Sequence, residues 1–203
     1  MTIFSSPTPP SNPFSTKFVR PGAIPFVLPS EQSLDAIIDR LAARNWHGAI
    51  LGPHGSGKST LLAALAERMT ARGRKVLLIT LTAGESTLPV TEEEAAKWSS
   101  DTQVIVDGYE QLSWWSSSWL QRTCSQQGAG LLVTAHADIG MSVVHSTQVD
   151  AELACRIAAQ LQANGVALVT DDDVRREFAE CEGNLRELLF SLYDIYEERS
   201  RMG

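Results

Sequence analysis

The residues whose types and spacing most clearly predict chemistry form a glycine-rich stretch in the first third of the chain. It comprises Gly52, Pro53, His54, Gly55, Ser56, Gly57, Lys58, Ser59 and Thr60. Glycines permit backbone conformations closed to other residues, and the N–H groups of such a loop converge on phosphate oxygens. Lys58 adds a positive charge for the β- and γ-phosphates, the Ser59 hydroxyl is a magnesium ligand, and Thr60 lies towards the α-phosphate. The stretch therefore predicts a nucleoside triphosphate site with Mg²⁺.

A carboxylate at the end of an apolar run supplies the second part of the predicted site. Val, Ile and Val at positions 104–106 lead directly to Asp107, which is typical of a buried strand that ends in a magnesium-binding aspartate. Hydrolysis also needs a group that orients or deprotonates water. Most ATPases of this type place a glutamate directly after the aspartate, but Gly108 stands there. Glu110 is therefore the predicted base, the alternative being a solvated residue at a helix start, and Glu85 is a weaker candidate.

A third set of polar residues follows the next apolar run, which ends Val133-Thr134-Ala135-His136. A polar side chain at this point is expected close to the γ-phosphate, and Thr134 is the favoured contact. His136 either senses the phosphate or caps the loop. His54 is interpreted as a solvent-facing residue of the glycine-rich loop, with catalysis as the less favoured alternative.

The elements that must position these residues follow from the alternation of apolar and amphipathic segments. Strands are predicted at 47–52, 75–82, 103–107, 130–134 and 143–149, and helices at 58–72, 92–99, 115–127 and 149–163. Continuously apolar strands separated by helices indicate a parallel sheet that is covered on both faces. After Val169 the pattern becomes helical to the end of the chain. The expected fold is α/β, a three-layer P-loop NTPase with a mostly parallel sheet and a small C-terminal helical lid.

The composition suggests three regions and an intracellular setting. Residues 1–30 are rich in proline and are expected to be flexible or extended, residues 31–164 to form the ATPase core, and residues 165–203 to form the lid. There is no apolar run of about 18 residues and no secretory signal. Three cysteines without a CxxC pair indicate reduced thiols. A cytoplasmic location without membrane insertion is therefore expected.

Charge and aromatic content bear on the partners. The net charge is −7, which argues against a general nucleic-acid binder because phosphates must be neutralised by clustered Lys and Arg. Trp114, Trp115 and Trp119 follow the predicted Asp107 strand. Because no lysine lies among them, packing or a protein contact is favoured over base stacking.

Together these motifs resemble those of the AAA+ ATPases. Gly52–Ser59 and Val104–Asp107 are similar to the Walker A and Walker B motifs, and Thr134 matches the sensor 1 position. Gly183-Asn184-Leu185-Arg186-Glu187-Leu188 is similar to the sensor 2 motif. The resemblance implies that Arg186 contacts the γ-phosphate from the lid; the alternative is a surface arginine paired with a nearby glutamate. AAA+ rings usually carry an arginine finger where residues 135–148 contain no Arg or Lys, so oligomerisation is possible but the usual intersubunit hydrolysis is not supported.

Three functions remain open from the sequence. The leading hypothesis is a Mg-dependent ATPase that acts as a switch or small motor on protein partners of unknown identity. The second is an ATP-binding regulatory module with little or no hydrolysis, since the glutamate after Asp107 is missing. A small-molecule kinase is less favoured, because Arg175 and Arg176 are the only arginine pair in the lid. ATP is preferred over GTP because no Asn-Lys-x-Asp sequence is present.

Overall fold

The computed structural model describes residues 12–19, 26–28 and 32–202, and the chain divides into two compact units. One unit comprises Ile24–Gln148, and the other combines Met1–Ala23 with Val149–Gly203. The three-region division expected from the sequence has its boundaries at residues 30 and 164, and it stays a prediction.

The elements alternate along the chain as expected from the apolar runs. The strands are β1 (His47–Leu51), β2 (Lys75–Thr80), β3 (Thr102–Asp107), β4 (Gly130–Ala135) and β5 (Val143–Ser146). The helices are α1 (Thr16–Val19), α2 (Leu34–Ala42), α3 (Lys58–Ala71), α4 (Glu92–Ala95), α5 (Trp114–Gln127), α6 (Ala151–Gln162), α7 (Asp171–Glu180) and α8 (Leu185–Met202). A short 3₁₀ turn, Tyr109–Gln111, follows β3.

The five strands form one sheet in the order β2-β3-β4-β1-β5, and all neighbouring strands are parallel. The first strand in the chain therefore lies between the fourth and the fifth. The chain leaves β1 through α3 and crosses to the far edge at β2. In a sheet of this kind, ligands bind in the crevice beyond the carboxyl ends of the strands, where the strand order reverses.

Helices cover both faces of this sheet. Ile38 of α2 and Leu61 of α3 pack with Ile105 on one face. Leu120 of α5 packs with Val104 on the other face. Val104 and Ile105 are neighbours in β3 and point to opposite faces, because side chains alternate along a strand. The predicted three-layer α/β fold with a mostly parallel sheet is confirmed.

Two helices of this unit, α2 and α5, begin at serine caps. The Ser33 hydroxyl accepts a hydrogen bond from the N–H of Ala36 at the start of α2, and Ser113 does the same for Ser116 at the start of α5. Such caps satisfy N–H groups that have no partner within the helix. Gly128, with a φ of 69°, ends α5.

Some elements are shorter than predicted. β2 ends at Thr80 rather than Thr82, because the Glu85 carboxylate accepts hydrogen bonds from both the backbone N–H and the hydroxyl of Thr82 and closes a turn there. The helix predicted at 92–99 is limited to Glu92–Ala95.

The other unit is helical. Its helices α6, α7 and α8 pack in sequence, α6 on α7 and α7 on α8. The N-terminal segment joins α8: the Phe14 ring, 1% exposed, meets Tyr196 edge-on, and the Asn12 amide donates to the Tyr193 carbonyl and to Glu197. Burial of an aromatic ring and a paired amide fixes this segment to α8.

These contacts change the expectation for the N-terminal region. Residues 1–30 were expected to be flexible or extended, but Asn12 is buried. Thr16–Val19 forms one helical turn, in a stretch that contains no proline. Residues 1–11 of the expected tail lie outside the described residues.

Asp173 is the most strongly engaged carboxylate of the helical unit. Its side chain is 5% exposed and accepts hydrogen bonds from Arg199 at 2.6 and 2.9 Å and from Arg176 at 3.2 Å. It also accepts from the backbone N–H and hydroxyl of Thr170, which completes a capping box at the start of α7. These donors hold the pKa of Asp173 well below its usual range, and the hydrogen bonds from Arg199 have the largest effect.

Two further expectations concern the whole chain. Within the described residues, no helix is long and apolar enough to cross a membrane. Cys124, Cys155 and Cys181 are all free thiols. Burial raises the pKa of the Cys124 thiol to about 12, so it is held in its unreactive protonated form.

We predict that Asp173→Asn lowers the free energy of unfolding of the helical unit by about 2–3 kcal/mol, because the Arg199 pairing loses its charge. The wild-type carboxylate has a lowered pKa, so its stabilisation is complete above the pKa of the unfolded state, about 4, and is lost as pH falls further. Urea unfolding at pH 7 and pH 3 measures both effects. Asp172→Asn, on the exposed side of the same helix turn, is the matched control and should change little. Equal losses for the two variants would contradict this role of Asp173.

Candidate functional site

The predicted site residues of the 24–148 unit gather at the carboxyl edge of the sheet. Gly52 follows β1, Asp107 ends β3 and His136 follows β4. Thr147, which was not predicted, follows β5 at the same edge. Because these strands are adjacent and parallel, their ends meet at one edge. The glycine-rich loop spans from this edge to the start of α3.

The glycine-rich loop is shaped by backbone conformations that favour glycine. Gly55 and Gly57 have φ angles of 68° and 88°, and Gly57 is the residue that caps α3. No side chain caps the N terminus of this helix. The first N–H groups of α3 therefore have no intrahelical acceptor, and together with the positive end of the helix dipole they suit a phosphate.

Lys58 is the buried charge of the site, with 8% exposure. Its ammonium donates to the carbonyl oxygens of Gly52 at 2.6 Å and Pro53 at 2.8 Å, and lies 3.1 Å from Nδ1 of His136. Burial lowers the pKa of Lys58, while the charges of Glu110 and Asp107 act in the opposite direction. The lysine is thus folded back onto its own loop, held by groups that a bound phosphate would replace.

Asp107 is oriented by the neighbouring strand. The Thr134 hydroxyl, which is buried, donates to Asp107 Oδ1 at 2.7 Å and accepts from the Gly108 N–H at 2.9 Å. One threonine therefore satisfies the carboxylate and the backbone of the turn that follows it. In this structure Thr134 positions the aspartate directly.

Gly108 explains why no glutamate follows Asp107. Its φ is 83°, and a Cβ there would lie 2.8 Å from the Leu81 carbonyl oxygen, so any side chain at this position would be strained. The turn carries the chain into the 3₁₀ segment, which is anchored by Tyr109: its ring is buried and its hydroxyl accepts from Gln121 at 2.7 Å. The carboxylate that faces the loop is that of Glu110.

Glu110 and Lys58 are joined through His136. The Nε2 atom of His136 lies 2.7 Å from Glu110 Oε1, and its Nδ1 lies 3.1 Å from the Lys58 ammonium. The His54 ring is stacked on the His136 ring, with centroids 3.5 Å apart and planes tilted by 35°. His54 is exposed, as expected for a residue of this loop, and its ring also packs on His136.

The donor set fits Mg²⁺-nucleotide. Ser59 at the start of α3 and Asp107 at the end of β3 are oxygen ligands of the type that Mg²⁺ prefers, and Mg²⁺ commonly needs only one or two from the protein. The described residues hold no group of three or more His, Cys, Asp or Glu suited to a metal ion. A metal bound by these residues would complete its coordination with phosphate oxygens and water.

Two other candidates, Glu85 and Arg186, have local contacts of their own. Glu85 is engaged in its own turn with Thr82. Arg186 is exposed in the first turn of α8, in the other unit, where Asn184 Oδ1 accepts hydrogen bonds from the N–H groups of Arg186 and Glu187. The sensor 2-like sequence therefore provides a helix cap, and the phosphate contact of Arg186 stays a prediction.

The three tryptophans have different environments. Trp119 is partly buried and meets Trp98 edge-on at 6.4 Å, as part of the core. Trp114 and Trp115 are 69% and 77% exposed, and their ring centroids lie 4.6 Å apart. Core packing therefore accounts for Trp119 alone.

Thr147 is a site residue that sequence reasoning did not identify. It is 2% exposed, its N–H donates to the Leu51 carbonyl at 2.8 Å, and its hydroxyl lies 2.6 Å from that of Ser56. Ser56 in turn donates to the Pro53 carbonyl. Thr147, directly after β5, thereby supports the glycine-rich loop through its contact with Ser56. The indication in the sequence was a hydroxyl residue directly after a strand that ends at the same sheet edge.

Comparison with known proteins bears on the fold. The sequence matches no protein-family model and no curated protein. A Walker-type ATPase of Pyrococcus abyssi superposes with a TM-score of 0.60 at 12% identity, over 94% of this chain and 74% of that one. C. elegans PCH-2 superposes with a TM-score of 0.42 at 12% identity, over 81% of this chain and 67% of that one. With the parallel sheet and its order, the likeness to the Pyrococcus abyssi structure shows a P-loop NTPase fold.

We predict that Ser56 and Thr147 are energetically coupled. Either single change, Ser56→Ala or Thr147→Val, removes the hydrogen bond between the two buried hydroxyls, so the second change has no such bond left to remove. The double variant should therefore lose less free energy of unfolding than the two single variants combined, by about 1 kcal/mol. Urea unfolding of the four proteins measures this difference, and strictly additive losses would contradict the support of the loop by β5.

Proposed function

We propose that this chain binds ATP with Mg²⁺ in the crevice around the glycine-rich loop and hydrolyses it to ADP and phosphate. The observation that carries the proposal is the meeting of Lys58, Asp107 and Glu110 at one sheet edge. The charges of both carboxylates act on the buried ammonium. Phosphoryl transfer depends mainly on positioning and on electrostatic stabilisation of the phosphoryl oxygens, and these residues supply both.

Each residue of the proposed site has a separate task. The loop from Gly52 to Thr60 cradles the phosphates with backbone N–H groups, and Lys58 turns from its own carbonyls to the β- and γ-phosphates. Ser59 and Asp107 hold the magnesium ion, which, when bound, neutralises charge on the phosphate oxygens. Thr134 keeps Asp107 in place through the hydrogen bond at 2.7 Å.

Glu110 is the proposed base. Its carboxylate accepts the proton of the attacking water as the oxygen of that water bonds to the γ-phosphorus and the bond from phosphorus to the β-phosphate oxygen breaks. Glu110 lies in the 3₁₀ turn that follows Gly108, a position where no side chain fits. Glu85 is not proposed, because its carboxylate already accepts two hydrogen bonds from Thr82.

A second candidate is an ATP-binding module with little hydrolysis. It is favoured by the contact between Glu110 and His136, which engages the only proposed base, and by the absence of Arg and Lys from residues 135–148. In this case the nucleotide would act as a ligand that stabilises the fold rather than as a substrate.

The finer proposals are an AAA+-like switch and a protein partner. A switch of this kind needs the helical unit to respond to the nucleotide, and Arg186 is the residue proposed to make that contact. The exposed Trp114–Trp115 pair is proposed as the contact for a protein partner, since exposed aromatic residues are enriched at interfaces. A kinase remains the least supported alternative, with Arg175 paired to Glu152 and Arg176 to Asp173 and Glu177.

We expect Lys58→Ala to weaken ATP binding at least tenfold and to abolish phosphate release, because the loop loses the positive charge that binds the phosphates. Lys75→Ala, an exposed lysine in β2, is the control and should behave as wild type. Fluorescent-nucleotide titration measures affinity, and phosphate release at saturating ATP measures turnover. Wild-type protein that releases no phosphate but binds ATP would leave only the second candidate.

We expect Glu110→Gln to retain ATP affinity and to lower kcat about 100-fold, within the range for loss of a general base. Glu85→Gln is the matched control and should turn over at the wild-type rate. If Glu110→Gln released phosphate as fast as wild type, Glu110 would not be the base. Phosphate transferred to a small hydroxylated metabolite instead of water would support the kinase.

A further inference from the structure

A continuous polar chain runs from the phosphate-binding lysine to the proposed base. Lys58 Nζ lies 3.1 Å from His136 Nδ1, and His136 Nε2 lies 2.7 Å from Glu110 Oε1. The imidazole thus contacts both groups, one through each of its nitrogens. Its side chain is 28% exposed, and that of Glu110 is 27% exposed.

The hydrogen-bond partners define which nitrogen of His136 carries the proton. An ammonium donates and never accepts, so Nδ1 accepts from Lys58 and must be unprotonated. The proton of the neutral ring then lies on Nε2, where it donates to Glu110. In this arrangement the three N–H bonds of Lys58 meet three acceptors: the carbonyls of Gly52 and Pro53 and Nδ1 of His136.

A second neighbour of Nδ1 favours the other tautomer of the ring. The Gly52 carbonyl oxygen lies 3.2 Å from the same nitrogen, and a carbonyl only accepts, so this contact becomes a hydrogen bond only when Nδ1 carries the proton. Lys58 and Gly52 therefore favour different tautomers of one ring. The stacked His54 ring at 3.5 Å covers one face of the imidazole and opposes its rotation away from either partner.

We propose that His136 is a positioning residue that reports the engagement of Lys58 with phosphate to Glu110. This rests on the proposed ATP binding. When Lys58 turns to the phosphates, Nδ1 loses its donor, gains a proton from solvent and donates to Gly52, while Nε2 gives up its proton to solvent. The ring stays neutral. Glu110 then faces a lone pair instead of a donor and is released to accept a proton from water.

The consequence is an interlock between binding and hydrolysis. Without nucleotide, the proton on Nε2 occupies the carboxylate of the base. With nucleotide, the same carboxylate becomes available. Glu110 would therefore be free to accept a proton only when Lys58 contacts the phosphates of the bound nucleotide.

The test follows the tautomer of His136 by ¹⁵N–¹H correlation spectra of protein labelled at its four histidines. The His136 signals are assigned from their loss in His136→Gln. Three samples are compared: wild type alone, Lys58→Met alone, and wild type with Mg²⁺ and a non-hydrolysable ATP analogue. Lys58→Met keeps an unbranched side chain that is one atom shorter and has no donor, and Lys75→Met is its control.

The expected result is a proton on Nε2 in wild type and Lys75→Met, and a proton on Nδ1 in Lys58→Met and in the nucleotide-bound sample. A ring with the same tautomer in all samples, or with both nitrogens protonated, would overturn the proposal. Parallel titration with the fluorescent nucleotide separates failure of the interlock from failure of the proposed function. If nucleotide binds and the tautomer does not change, only the interlock fails; if none binds, the proposed function fails with it.

Kinetics supply a second readout. His136→Gln should lower kcat about tenfold with less than a twofold change in nucleotide affinity, because an amide N–H can donate to Glu110 but cannot become a lone pair when nucleotide binds. His145→Gln, outside this chain of contacts, is the control. A parallel loss of affinity and kcat would mean that His136 only shapes the loop, which contradicts the proposal.

Discussion

The buried ammonium of Lys58 is the constraint around which this edge of the molecule is organised. A charge removed from water must be compensated by nearby dipoles or opposite charges. The loop carbonyls of Gly52 and Pro53 provide the first, and Glu110 and Asp107 provide the second. Supplying these groups requires β1, β3 and β4 to end side by side, with the loop folded back over their ends.

The parallel sheet meets this requirement, and small local devices refine it. Thr134 fixes Asp107 from the neighbouring strand, and Thr147 supports Ser56 from the strand on the other side. Gly108 turns the chain where a side chain does not fit. The proposed base, Glu110, follows three residues after Asp107.

Different segments supply the groups proposed for binding and the group proposed for hydrolysis. Cradle and metal ligands come from the loop and from the end of β3, whereas the proposed base is held through His136. In the proposed function, binding depends on the loop, and turnover depends on whether Glu110 is released. A buried lysine with two competing sets of partners, its own loop and a phosphate, is the element on which both depend. The exposed Trp114–Trp115 pair is an aromatic surface close in sequence to this site, since α5 begins seven residues after Asp107.

The sequence by itself determined the glycine-rich loop, the aspartate at the end of an apolar strand and the three-layer fold. These are local: the φ preference of glycine, the periodicity of apolar residues and the spacing of Lys58 and Ser59 are all contained in short segments. Only the tertiary structure decided that His136 lies between Lys58 and Glu110, that Thr147 supports the loop and that Asn12 and Phe14 pack on α8. These contacts join residues far apart in the chain. Their geometry follows from strand order and packing, which no local pattern specifies.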